Sequence, residues 1–266
     1  MITDFHTHCF PDALAEKALG RLAVISEIPY YTGATRASNL AAMKEAGIDR
    51  AVIFNIATNP KQTTKVNDFA IETAALYPNL IPFGSVHPES EPDFIEAELR
   101  RLKDAGIKGI KLHPDYMECP IDDEKYTPIF ATCCELNLTI STHAGWDFYS
   151  PDFIHATPER IARVLAAYPE LRLVAAHMGG YKLGEDVLRH LAGKRVWFDT
   201  SLLALAEDKA LMREILLSHD PDKLLFATDT PWSRMTDELA ALESMELSEK
   251  LMVKILNENA EVLLKE

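Results

Sequence analysis

At 266 residues with 47% apolar side chains, the chain has material for one large core and too little for two well-buried ones. Acidic residues outnumber basic ones 41 to 27, and the formal charge of -14 repels phosphate backbones and anionic bilayers. Nucleic acid and membrane are therefore not expected as partners, and the acidity is read as a source of solubility rather than as a portrait of the substrate.

A strand-helix alternation runs the whole length. The first strand, 2–8, ends in His6-Thr7-His8, and residues 11–36 after it, with Pro29-Tyr30-Tyr31, form a lid or helical insertion. Strand 51–56 leads to a helix at 65–76 with a stop near Asn79, and strand 81–86 to a helix at 94–105 stopped by Gly106. Strand 109–113 precedes a helix at 128–136 closed by Asn137, and strand 138–143 precedes a helix at 158–167. That helix starts on Thr157-Pro158-Glu159, with threonine as cap and proline at the first helical position. Strand 173–177, a stop at Gly193, strand 196–200, a helix at 209–217 and strand 224–229 complete the series. Eight such units predict a closed (β/α)₈ TIM barrel of parallel strands, one domain over 1–266. An open doubly wound sheet is disfavoured, because no Gly-x-Gly-x-x-Gly or Gly-x-x-x-x-Gly-Lys turn follows the first strand.

The four cysteines, Cys9, Cys119, Cys133 and Cys134, form no Cys-x-x-Cys pair and are read as reduced thiols. Cys9 is assigned to packing, since alternation aims it away from the histidines before it. Residues 1–8 lack the basic start and apolar run of a secretory leader, and no stretch is long and apolar enough to cross a bilayer. A cytoplasmic location is expected.

The chemistry is read from position. His6, His8, His113, His143 and His177 fall at the carboxyl ends of predicted strands, and Asp229 ends the eighth. In a barrel those ends converge on the face where active sites are built, whatever the distance along the chain. His6 and His8, two apart on a strand, point to one face and can reach one ion. Imidazole and carboxylate suit zinc or another divalent transition metal. In isolation, a His-x-His pair is more often a pair of surface imidazoles, and His143 or His177 alone more often a satisfied core histidine. Asp229 alone is equally well a helix cap. Together they make a His/His/His/Asp set, and the metal reading prevails.

Lys111 and His113 share a strand face, and an inward lysine is costly unless paired or near solvent. It contacts an anionic substrate, carries a carboxylate modification that bridges two metals, or simply reaches polar groups in the barrel mouth. Trp146, Tyr149, Trp232 and Arg234 follow strands five and eight and are candidates for the pocket lining, though packing explains aromatic loop residues equally well. His87 is a candidate support for the site; His155, His190 and His219 are read as surface residues.

The combination of His-x-His on strand one, histidines on strands five and six and an aspartate on strand eight resembles the amidohydrolase superfamily. Gly109-Ile110-Lys111-Leu112-His113-Pro114, Ala176-His177-Met178-Gly179-Gly180 and Thr228-Asp229-Thr230-Pro231-Trp232 are most similar to its amidohydrolase-related branch, which includes aminocarboxymuconate-semialdehyde decarboxylase. The resemblance covers nearly the whole chain. It implies a metal, usually zinc and one or two ions, held by His6, His8, His143 and Asp229. It makes His177 either a catalytic proton donor or charge stabiliser, or a ligand of a second ion. The Lys-Leu-x-Pro setting of Lys111 resembles the modified lysine of dihydroorotase. A homodimer is a family-level expectation.

The reaction expected first is hydrolysis of an amide, lactone or ester in a small molecule. The ion lowers the pKa of its water to about 7, Asp229 takes the proton and His177 steadies the growing charge. The alternative is a metal-dependent non-oxidative decarboxylase of a small carboxylic acid, with His177 helping to protonate carbon. A barrel that has lost turnover and only binds is the third reading, and the complete ligand set argues against it.

Overall fold

The eight predicted strands are all present, most of them shorter than the apolar run that announced them. The computed structural model describes residues 1–265. Strands β1 (Thr3–His8), β2 (Arg50–Phe54), β3 (Leu80–Phe83), β4 (Gly109–Leu112), β5 (Thr139–Thr142), β6 (Leu173–Ala175), β7 (Trp197–Asp199) and β8 (Leu224–Leu225) pair in parallel and in sequence order. Two seams close the ring. Lys111 N donates to Gly84 O at 2.8 Å and Gly84 N to Gly109 O at 3.0 Å, tying β3 to β4. Phe5 N donates to Phe226 O at 2.8 Å, Asp229 N to His6 O at 2.7 Å and His8 N to Thr230 O at 2.7 Å, tying β1 to β8 and the residues after it. The fold is the expected TIM barrel.

Strand side chains sort by parity. Along β2, Ala51 and Ile53 join the large core between strands and helices, while Val52 and Phe54 join Phe5, Phe83, Val174 and Leu225 inside the barrel. The register of β1 on β2 slips by one residue between Asp4 and Thr7. The slip turns Phe5 and His6 inward together, with His8 following by ordinary alternation. Cys9 lies in the outer core, away from the histidines.

Helices α1 (Asp12–Ser26), α2 (Arg36–Ala46), α3 (Thr63–Leu76), α4 (Pro92–Asp104), α5 (Thr127–Leu136), α6 (Pro158–Ala167), α7 (Gly184–His190) and α8 (Lys209–Ser218) surround the strands. α9 (Met235–Glu243), α10 (Glu249–Val253), a π-helical turn (Lys254–Glu258) and α11 (Asn259–Lys265) follow β8. Thr157 Oγ1 accepts from Arg160 N at 3.2 Å, the cap expected for α6. Gly106, Asn137 and Gly193 adopt the left-handed backbone that stops a helix. The expected insertion after β1 is helical: it is α1. No helix among the described residues is long and apolar enough to cross a membrane.

Candidate metal centre

Barrel closure brings His6, His8 and Asp229 together at the carboxyl ends of β1 and β8. Asp229 Oδ1 lies 3.2 Å from His6 Nε2 and 3.0 Å from His8 Nε2, and all three residues are buried. The backbone is shaped for this. Asp229 and His177 both hold positive φ, 61° and 56°, which non-glycine residues adopt at a cost. His177 follows β6 in a tight turn and donates its backbone N–H to Asp199 Oδ1 at 3.0 Å.

Behind the trio stands a carboxylate that histidine spacing did not reveal. Asp199, at the end of β7, receives His6 Nδ1 on Oδ2 at 2.9 Å and is fully buried. That bond places the proton on Nδ1 and leaves the Nε2 lone pair facing Asp229, the arrangement by which a buried carboxylate orients a metal-binding imidazole. Ser201 Oγ is 2.8 Å from His177 Nδ1, and His177 Nε2 is 3.1 Å from His143 Nδ1. Asp199 lies one residue short of the end of predicted strand seven, close to where the positional logic that singled out the histidines looked.

His143 stands one imidazole away from the trio, with a buried Nε2 that has no hydrogen-bond partner. Asp147 Oδ2 is 3.8 Å from that nitrogen and 3.7 Å from His113 Nε2. The rings of His113 and His143 stack at 4.4 Å and 10°. One ligand atom from each of His113, His143 and Asp147 lies within 4.8 Å of the others, so these three form a second group that could hold an ion.

The electrostatics follow from burial and from these partners. Asp229 is held well below the usual carboxylate range: burial opposes this, but the imidazoles of His6 and His8 outweigh it. Asp199 is lowered likewise by His6 against its burial. His6 is raised despite burial and Lys111, because it sits between Asp199 and Asp229. Burial pushes His177 and His113 well below the normal histidine value. Lys111, buried with Nζ 3.2 Å from His6 Nε2 and 4.6 Å above the Phe54 ring, is pushed down to about 8.

A cavity of about 670 Å³ opens above these groups. Lys111, His113, Trp146, Tyr149 and Trp232 all line it, as sequence position suggested. Arg234 does not line it: its guanidinium lies 4.7 Å over the Tyr31 ring. His155 and His219 are not surface residues. His155 Nδ1 bonds buried Asp115 at 3.0 Å, and His219 is buried, stacked on Phe198 with Nε2 on Val196 O at 2.9 Å. His190 is half-buried at the end of α7, and His87 is buried outside the cavity, where it accepts from Glu89 N at 3.2 Å. Beside His143, backbone fills the space next to Gly145. At φ 96°, a Cβ there would meet Tyr181 N at 2.2 Å, because residues 144–146 hydrogen bond to Tyr181 through the main chain.

A family model described as Amidohydrolase matches residues 3–265. The chain belongs to the amidohydrolase family. Its fold is shared with an uncharacterised TIM-barrel protein from Bordetella bronchiseptica, at 20% identity and a TM-score of 0.79, over 99% of this chain and 98% of that one. A 5-carboxyvanillate decarboxylase from Novosphingobium aromaticivorans, complexed with manganese and 4-hydroxy-3-methoxy-5-nitrobenzoic acid, aligns over 100% of this chain and 96% of its own, with a TM-score of 0.76 at 17% identity. A 2,6-dihydroxybenzoate decarboxylase from Rhizobium aligns over 99% and 98%, with a TM-score of 0.73 at 16% identity. No curated protein matches this amidohydrolase-family chain by sequence.

The residues present fit a divalent ion. Two imidazole nitrogens and a carboxylate oxygen converge within 4.8 Å of one another, one imidazole is oriented by a buried carboxylate, and a further buried histidine nitrogen has no partner. The imidazole nitrogens suit a borderline ion such as zinc, and the carboxylate oxygen also suits a harder one such as manganese.

Proposed function

We propose that the protein is a metal-dependent, non-oxidative decarboxylase of an aromatic or similarly unsaturated carboxylic acid. The observation that carries this reading is the cavity: the imidazole and carboxylate cluster forms its floor, and Phe54, Tyr116, Trp146, Tyr181 and Trp232 are among the rings around it. Hydrolysis, the reaction expected first from sequence, yields to decarboxylation. Two lines support the change. Decarboxylases of hydroxylated benzoic acids share the fold, and manganese accompanies them. An apolar wall also favours a reaction that removes charge from a buried substrate carboxylate.

His6, His8 and Asp229 would hold the ion, with His143 and His177 at its edge. When bound, the ion supplies Lewis acidity at an acid or phenol oxygen. The protein's own groups do the rest. Aromatic side chains fix the plane of the substrate and exclude water. As the carbon–carboxyl bond breaks, its electron pair remains on carbon, and a proton from the His177–His143 pair takes the place of carbon dioxide. Burial keeps His177 neutral in the free protein, and a substrate carboxylate beside it favours the imidazolium, so the proton is gathered as substrate enters. Ser201 on His177 Nδ1 holds the ring in place for the transfer.

The test is carbon dioxide release from a panel of hydroxybenzoic and dienoic acids, with manganese-loaded and zinc-loaded protein compared. Amides, lactones and esters form the control panel. Release of carbon dioxide with loss of the acid is expected. Turnover confined to the control panel would return the site to hydrolysis, with Asp229 as base to an attacking water.

A further inference from the structure

The cavity is larger than a single-ring acid fills, and its exposed charges are cations. Asp147 and Asp229 lie at the floor together with the buried Lys111 beside His6. Away from it, the lining contains four exposed cations: Lys17 and Arg21 on α1, Lys61 just before α3 and Lys65 within it. Among the described residues, none of the four is in an ion pair. Being unpaired does not by itself set them apart, since Lys44, Lys103, Lys194 and Lys250 are also outside the ion pairs of the described residues; what distinguishes the four is that they share one opening.

Helix stability does not account for this pattern. Lys17 and Arg21 are one turn apart, as are Lys61 and Lys65, and like charges at that spacing repel. Nor does average composition, since the chain carries 14 more acidic than basic residues. A rim of unpaired cations in an acidic molecule concentrates positive potential at one opening, where it draws in and holds anions. Less exposed than these cations, Leu22 and Ile25 on the same face of α1 also line the cavity. Polar groups at both ends and an apolar stretch between them define a ligand with the same order.

We propose that the substrate is a bifunctional anion: one acid group at the floor, an apolar body along α1, and a second carboxylate or phosphate held by Lys17, Arg21, Lys61 and Lys65. The first part rests on the acid-binding floor argued above; the second is independent of which bond is broken there.

The test measures binding by quenching of Trp146 and Trp232 in manganese-loaded protein. The probes are α,ω-alkanedioic acids of about six to about twelve carbons, ω-phosphonoalkanoic acids of the same lengths, and the matching mono-acids. At one or two chain lengths a doubly anionic probe should bind about tenfold more tightly than its mono-acid at low salt, a few exposed charge contacts acting together. The preferred series identifies the outer group. The ratio should fall toward one in about 0.5 M salt, and also in the variant Lys17→Gln/Arg21→Gln/Lys61→Gln/Lys65→Gln. No preference at any length, or a preference that survives the fourfold variant, overturns the proposal. If mono-acids bind only with metal present but the second anion adds nothing, the rim alone is refuted. If mono-acid binding ignores metal removal, the floor reading fails and the proposal with it.

Discussion

Asp199 acts through His6. An aspartate at that position accepts only, so Nδ1 must carry the proton and Nε2 must face Asp229. In Asp199→Asn, the amide can donate to Nδ1 and turn the tautomer round, directing an N–H at the ion. We expect metal affinity to fall by about 10- to 100-fold while the fold persists, as for other supports of metal-bound histidines. Competition with a chelator measures it, and an unchanged affinity would show that Asp199 does not orient the ligand. The double variant His6→Ala/His8→Ala should lose bound metal in elemental analysis, since two of the three converging donors go. His6, His8, Lys111, His113 and Asp229 were readable because strand alternation and barrel closure are rules of backbone geometry. Asp199 and Ser201 were missed through attention to histidines alone. Asp147 and Tyr116 lie in loops, where no period in the sequence says which way a side chain points.

The shortest element explains why boundaries were harder to read than elements. The apolar run 224–229 predicts six residues of strand, and only Leu224–Leu225 form a ladder with β7. Phe226 N donates instead to Ile255 O, Ala227 N to Thr200 Oγ1 and Thr228 N to Asp4 Oδ1. Groups far along the chain intercept the ladder, and local pattern cannot announce them. Capping, by contrast, is local, and α6 begins and ends where the sequence indicated. Thr157→Ala should cost about 1 kcal/mol in denaturant unfolding. Gly145→Ala should cost roughly 2–4 kcal/mol, because it adds both a disfavoured φ and a Cβ against Tyr181 N, and no side-chain rotation relieves either. Equal losses for the two variants would mean that the 144–146 segment gives way more easily than its main-chain bonds imply.

At the scale of the whole molecule, buried carboxylates tie stability to pH in two opposing directions. Asp199 and Asp229, lowered in the folded state, contribute stability above the ordinary aspartate value and lose it as pH falls through their folded values. Glu238 behaves in the opposite way. Burial raises it from 4.5 to about 8, so the folded state holds its proton longer than the unfolded chain, and stability drains as pH rises across that interval. Glu238→Gln removes the titration while keeping an oxygen for the Ala204 N–H. Its melting temperature should exceed the parent's by several degrees near pH 9, and the two should converge near pH 5. A constant difference across that range would place the proton elsewhere.

The cavity has two builders of different kinds. Its floor draws on the ends of strands all around the ring, so no single stretch of chain can be exchanged without disturbing the chemistry. A large share of one wall comes from α1, which enters after β1 and leaves before α2 begins. The converging donors and this wall thus lie on separable lengths of polypeptide. Grafting the equivalent segment from another barrel of this kind should redirect what the protein accepts while leaving its metal stoichiometry intact.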